Sequence, residues 1–214
     1  FQPETKPIGT VIFVHGGHWI DFDKSYWSHF ASGVLANGYR FIVPSYDLCP
    51  TVKISDITHQ IRDLLCYVLE NYDGLISLTG HSAGGHLVSR MVSADQWVRS
   101  RLRFDLLKRL NHVVAISPIA DLRPLLKTSM NNKFNLNHDT AKKESPVFHT
   151  KMTVPFTIIV GENERPAFIS QAKYLSEAWS CSKIISKGKH HFSVLDDLEN
   201  ESSDLVNLLT KTCR

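Results

Sequence analysis

Ile76-Ser77-Leu78-Thr79-Gly80-His81-Ser82-Ala83-Gly84, followed by Leu87, Val88 and Met91 at helical spacing, is the stretch that decides the fold. Ile76–Thr79 has the length and apolar character of a buried strand, and the residues after Gly84 repeat with a helical period. A strand must therefore turn into a helix across Gly80–Gly84. A serine at the apex of so tight a turn needs neighbours without side chains, which explains the glycine on either side of the triplet. Working outward, five more short apolar runs have the same appearance: Thr10–Val14, Arg40–Val43, His112–Ser117, Phe156–Val160 and Lys183–Ile185. All six are expected to be apolar on both faces, as strands covered by helices on both sides are, and to form one largely parallel sheet. Between them Ile54, Ile57, Ile61, Leu64, Leu65, Val68 and Leu69 form an amphipathic helical stripe. Trp27, Phe30, Val34 and Leu35 form another, with Asp23 as its N-cap and Gly38 as the residue beyond its end. Pro166 suits the first turn of a third helix, carrying Phe168, Ile169, Ala172 and Leu175. The alternation of strand and helix predicts a doubly wound α/β sandwich.

The chain has 214 residues, the size of one α/β domain, and residues 1–214 are expected to form a single one. Only Pro118–Pro155 breaks the rhythm. It is long, polar in its middle, and expected to have no strand and at most a helical turn over Asp139–Glu144. We expect it to be an excursion near the active site, supplying a wall of the pocket. The net charge is +3 with no basic run, which gives no support to a nucleic-acid partner. No apolar stretch reaches the roughly 18 to 20 residues of a membrane span, so no membrane association is expected. Cys49, Cys66, Cys181 and Cys213 form no C-x-x-C pair and read as reduced packing residues, which fits a cytoplasmic location. The chain opens on Phe1 rather than Met, the pattern of a fragment or a processed form. A homodimer is compatible with the sequence.

The glycine-flanked Ser82 is the candidate nucleophile, and the helix after it would aim free N–H groups and its positive end at developing negative charge. His15-Gly16-Gly17-His18-Trp19 directly follows the first strand. Its glycines let the backbone approach a carbonyl oxygen, so Gly16, Gly17 and Ala83 are the expected oxyanion-hole donors. A serine hydroxyl needs a base, and that base needs an acid to orient it. After the last strand, His190 and His191 both qualify as base. Among acids, Glu164 is favoured over Glu162 because it lies far enough beyond Phe156–Val160 to curl back under an imidazole, and Asp121 is the rival after the preceding strand. His86, one turn into the helix after Ser82, reads as a packing residue, and His15 and His81 as loop-shaping ones. No histidine spacing suggests a metal site, and no cofactor is expected.

With these residues assembled, the chain resembles the kynurenine formamidase (arylformamidase) group of α/β-hydrolases, an H-G-G-x-W type within the esterase and lipase class. The resemblance runs from His15-Gly16-Gly17-His18-Trp19 to His191-Phe192 and includes Gly80-His81-Ser82-Ala83-Gly84, Ser145-Pro146 and Gly161-x-x-Glu164-x-Pro166-x-Phe168. It implies the α/β-hydrolase fold and a Ser82–Glu164–His191 triad, and it singles out His191 from His190. Better-known members carry aspartate where Glu164 stands. They also have strands before the oxyanion loop, where this chain has only Phe1–Gly9, so N-terminal strands are missing here or have been dispensed with.

The activity implied is hydrolysis of an aryl formamide such as N-formylkynurenine to formate and the free arylamine. A small-ester carboxylesterase would use the same machinery. A catalytically silent receptor or binding module on the same fold is disfavoured by the presence of both Ser82 and His191. A formyl group demands a small acyl site, for which Trp19 is the candidate wall, and an aryl leaving group demands apolar walls, for which Tyr46 and Phe22 are candidates.

Overall fold

The computed structural model describes residues 1–95 and 107–212. Six strands, β1 (Gly9–Val14), β2 (Tyr39–Ile42), β3 (Leu75–His81), β4 (Leu110–Ile116), β5 (Phe156–Gly161) and β6 (Ser182–Ser186), form one sheet in the order β2-β1-β3-β4-β5-β6. Every pairing is parallel. Each expected strand is present, displaced by one or two residues at its ends. The helices are α1 (Ala31–Ala36), α2 (Ile54–Asn71), α3 (Ala83–Met91), α4 (Asn131–Phe134), α5 (His138–Glu144), α6 (Pro166–Trp179) and α7 (Asp204–Thr210).

Alternate residues of the inner strands feed two cores. Ile12, Val14, Ile76, Leu78, Val113 and Ile158 pack on one face with α2, α3 and α6, while Val11, Phe13, Val114, Ile116 and Ile159 pack on the other with α1 and α7. The two-faced burial expected of all six strands fails at β6, where Ile184 and Ile185 are 39% and 50% exposed. It is the last strand of the described sheet, with no described strand beyond it.

The stripe beginning at Trp27 is a 3-10 segment, Lys24–Phe30, that passes into α1. Asp23 caps it by accepting a hydrogen bond from the Ser25 N–H, and Gly38, at φ +76°, follows the α1 C-cap Asn37. Pro166 stands in the first turn of α6. Cys49 is buried and Cys181 half-buried; Cys213 lies outside the described residues.

Residues 118–155 contain α4, α5 and two 3-10 turns, and α5 ends just before Ser145-Pro146. The segment's apolar residues Phe134, Leu136 and Ala141 are buried in the same core as α2 and α3. Among the described residues no helix is long and apolar enough to cross a membrane.

Sheet order positions the site. The chain moves from β1 outward to β2, then returns to place β3 on the other side of β1. The carboxyl ends of β1 and β3 therefore flank the point where the winding direction reverses, which is where open parallel sheets present a crevice. Val14 at the end of β1 is in register with Gly80 of β3, so the loops leaving both strands emerge side by side.

Candidate active site

Ser82 sits between β3 and α3 with φ 54° and ψ −113°, a left-handed backbone that non-glycine residues seldom adopt. The glycines around it are required by packing. A Cβ on Gly80 would stand 2.4 Å from the Gly84 carbonyl oxygen, and one on Gly84 would stand 1.9 Å from that of Val14. Ser82 is thus held at a turn that no bulkier sequence could follow, with Ala83 as the first residue of α3. The Ala83 N–H belongs to the first turn of the helix, where N–H groups have no acceptor within the helix.

The loop after β1 lies against this turn. A Cβ on Gly16 would approach the His81 carbonyl oxygen to 2.9 Å and the Ser82 Cβ to 3.2 Å. Gly17 (φ +107°), His18 (φ +52°) and Trp19 (φ +58°) are three successive residues in left-handed backbone. This reversal is closed by the Ile20 and Asp21 N–H groups, which donate to the Gly17 carbonyl oxygen at 3.0 and 3.1 Å.

On the far side of Ser82, the His191 Nδ1–H donates to Glu164 Oε2 at 2.7 Å. Glu164 is buried, and its other oxygen accepts from the Ser117 hydroxyl and, at 2.9 Å, from the Gly161 N–H. Burial alone would raise the Glu164 pKa. The hydrogen bonds from His191, Ser117 and Gly161 outweigh it and hold the carboxyl below its ordinary value. Phe168 of α6 stacks on the His191 ring with centroids 4.0 Å apart. His81 donates from Nε2 to the His191 carbonyl oxygen at 2.7 Å, and burial, followed by the nearby His191, lowers its own pKa to about 3. It is neutral at physiological pH and fastens the strand-end turn to the histidine loop.

The rival residues are engaged elsewhere. Asp121 pairs with the Arg123 guanidinium at 2.8 Å. Glu162 accepts from the Gly188 N–H at 2.9 Å, and the exposed His190 ring accepts from the Phe192 and Ser193 N–H groups at 3.2 and 3.3 Å. His86 is fully buried and donates to the Glu144 carbonyl oxygen at 2.7 Å, and His15 donates to that of Gly16 at 2.8 Å. Among the described residues no three His, Cys, Asp or Glu side chains are grouped as a metal site would need.

Ser82 and His191 open into one cleft of about 230 Å³, which Gly17, Phe22, Trp27 and Phe168 also line. Two expected wall residues, Trp19 and Tyr46, do not line the cleft. Trp19 is fully buried, edge-on to His86 and Phe134 with centroids 5.1 and 5.6 Å away, so it supports the loop from beneath. Its left-handed backbone turns the indole inward. Tyr46 is buried too. Its ring stacks on His15 at 4.3 Å and its hydroxyl donates to the His15 carbonyl oxygen at 2.8 Å, leaving Phe22 as the expected wall residue that does face the cleft. Residues 118–155 contribute nothing to the cleft lining, so the expected wall is instead a brace that reaches Trp19 through Phe134.

The sequence reading missed Ser117, His18, Trp27, Arg165 and Phe192 as site residues. Ser117 carried a signal, since it stands one residue beyond the end of a strand whose neighbour leads to Glu164. Trp27 and Phe168 read as helix core because their apolar spacing does not reveal which end of the sheet they reach.

The chain is 27% identical to the kynurenine formamidase of Danio rerio over 217 residues, which is 95% of this chain and 72% of that one. It is 24% identical to the kynurenine formamidase of Drosophila melanogaster over 223 residues, 97% of this chain and 74% of the other. A candidate thioesterase of known structure from Silicibacter sp. tm1040 superposes with a TM-score of 0.93 at 48% identity, covering 99% of this chain and 79% of that one. The Pyrobaculum calidifontis esterase shares the fold, with a TM-score of 0.74 at 19% identity over 97% of this chain and 78% of the other. The BD-FAE family model matches residues 2–179, and the chain belongs to that family as an arylformamidase-like α/β-hydrolase enzyme.

Proposed function

We propose that the protein hydrolyses an aryl formamide, N-formylkynurenine, to kynurenine and formate through a Ser82–His191–Glu164 triad. The observation that carries this reading is the 2.7 Å hydrogen bond from His191 to the buried Glu164, beside a strained Ser82 that opens into the same cleft. With its Nδ1 proton committed to Glu164, His191 presents Nε2 as an acceptor, the tautomer a general base requires. The Ser82 hydroxyl passes its proton to Nε2 as Oγ attacks the formyl carbon. The N–H groups of Ala83, Gly17 and Gly16 are the donors for the tetrahedral oxyanion. His191 then returns the proton to the anilide nitrogen, which leaves poorly unless protonated, and a formyl-Ser82 ester remains. Water, activated by the same histidine, releases formate.

The cleft volume of about 230 Å³ lies below the roughly 300–1,000 Å³ of common ligand pockets, which supports a small acyl group on a compact aryl leaving group. Short-acyl ester hydrolysis by the same triad is the second reading, favoured by the 48% identity to a candidate thioesterase. Turnover of N-formylkynurenine against aryl esters of increasing acyl length decides between them. The expected outcome is measurable cleavage of aryl formates and acetates, a steep fall with longer acyl chains, and a higher kcat/KM for N-formylkynurenine. Efficient cleavage of long-acyl esters with no formate released from N-formylkynurenine would sink the formamidase reading.

The oxyanion loop is tested separately. A Cβ on Gly17 would lie 2.3 Å from the Asp21 carbonyl oxygen and 2.8 Å from the Phe22 ring, on a backbone at φ +107°. Gly17→Val is expected to lower kcat by on the order of a hundredfold, because the loop must move its donor away from the oxyanion. A thermal melt recorded alongside confirms that the sheet persists, and an unchanged kcat would remove this loop from the mechanism.

A further inference from the structure

Among the described residues, Arg165 is the only guanidinium or ammonium side chain lining the cleft that holds Ser82 and His191, and no described Asp or Glu lines it. The neighbouring acid, Glu164, is turned away and fully used by His191, Ser117 and Gly161. The Arg165 side chain is exposed, and its guanidinium enters no ion pair or hydrogen bond among the described residues. Its backbone is fixed on both sides. Glu164 is anchored in the site before it, and Pro166 starts α6 after it, holding Arg165 extended at φ −58° and ψ 141°. As the N-cap of a 14-residue helix, Arg165 also stands at the positive end of that helix.

His18 also lines the cleft. Its pKa is lowered by burial, then by the nearby His191 and Arg165, so it stays neutral and can donate one hydrogen bond. The remaining lining is largely aromatic: Phe22, Trp27, Phe168 and Phe192. A cation with no counter-ion among the described residues, in an aromatic cleft shared with Ser82 and His191, suits a substrate with an aryl body and an anionic tail.

We infer that Arg165 is a specificity-determining residue that binds a carboxylate on the leaving group of the substrate. The inference rests on the hydrolase reading above and adds to it a charge requirement. The guanidinium would hold the carboxylate by paired N–H donors while the scissile carbonyl lies over Ser82. Because the leaving group is gripped at its far end, Arg165 acts on binding and leaves the reacting bond alone.

The test compares N-formylkynurenine with 2-formamidoacetophenone, which keeps the formanilide and the ketone but lacks the amino-acid tail. Arg165→Gln is expected to raise KM for N-formylkynurenine by about tenfold or more, with kcat within twofold. It should leave kinetics on 2-formamidoacetophenone unchanged, and Arg165→Lys should restore part of the lost affinity. Equal effects on both substrates, or none on either, would overturn the assignment. A second pair, 3-acetoxybenzoate and phenyl acetate, separates the two levels of the argument. If the protein cleaves these esters and neither formanilide, the formamidase reading fails. The charge inference then stands or falls on whether Arg165→Gln weakens 3-acetoxybenzoate selectively.

Discussion

Ser82→Ala is expected to lower turnover by more than about 10⁴-fold while leaving the fold intact. The Ser82 side chain makes no capping bond to α3, so removing its oxygen costs the helix no partner. Alanine keeps the Cβ and meets the same backbone demand at φ 54°, and what disappears is the oxygen proposed to attack the acyl carbon. Residual hydrolysis should survive from the oxyanion donors and substrate positioning alone. Single-turnover assays with N-formylkynurenine, paired with thermal melts, check both halves of the expectation. Activity within tenfold of the wild type would take Ser82 out of the chemistry, and a collapsed melting curve would mean that its oxygen is structural.

His191→Ala should be nearly as damaging, with a loss on the order of 10³- to 10⁵-fold, whereas His190→Ala should change kcat by no more than about threefold. The two histidines are adjacent in sequence and chemically identical, and their surroundings make the difference. His191 is backed by the Glu164 carboxylate and stacked on Phe168, which together fix its ring plane and its tautomer. His190 points to solvent, where its ring accepts from two backbone N–H groups at the start of the next turn. Measuring both variants on one substrate gives an internal control for expression and folding. A larger loss for His190→Ala would reverse the assignment of the base.

The motifs at Ser82 and at Gly16-Gly17 were legible because each depends on glycine where a Cβ has no room, a constraint that leaves a mark in the sequence. The strand pattern was legible for a similar reason, since a strand buried on both faces must be apolar throughout. β6 was over-read, because a short apolar run looks the same at a sheet edge as in its middle. Trp19 and Tyr46 were misplaced because loop side chains take their direction from backbone angles, and left-handed angles at His18 and Trp19 are not encoded by any residue preference. Arg165 gave no signal at all. An arginine after an acid and before a proline reads as a surface residue until the fold brings α6 to the cleft.

The brace formed by residues 118–155 separates two kinds of inherited change. Substitutions in the loop from β5 to α6 fall on Glu164 and Arg165, two consecutive positions proposed to orient the base and to hold the substrate, so on that proposal drift there redirects chemistry and substrate choice together. Drift around Phe134 meets the loop after β1 at the indole of Trp19, and so adjusts how firmly that loop is held. The firmness of the loop after β1 and the choice of substrate are thus set from two different segments of the chain.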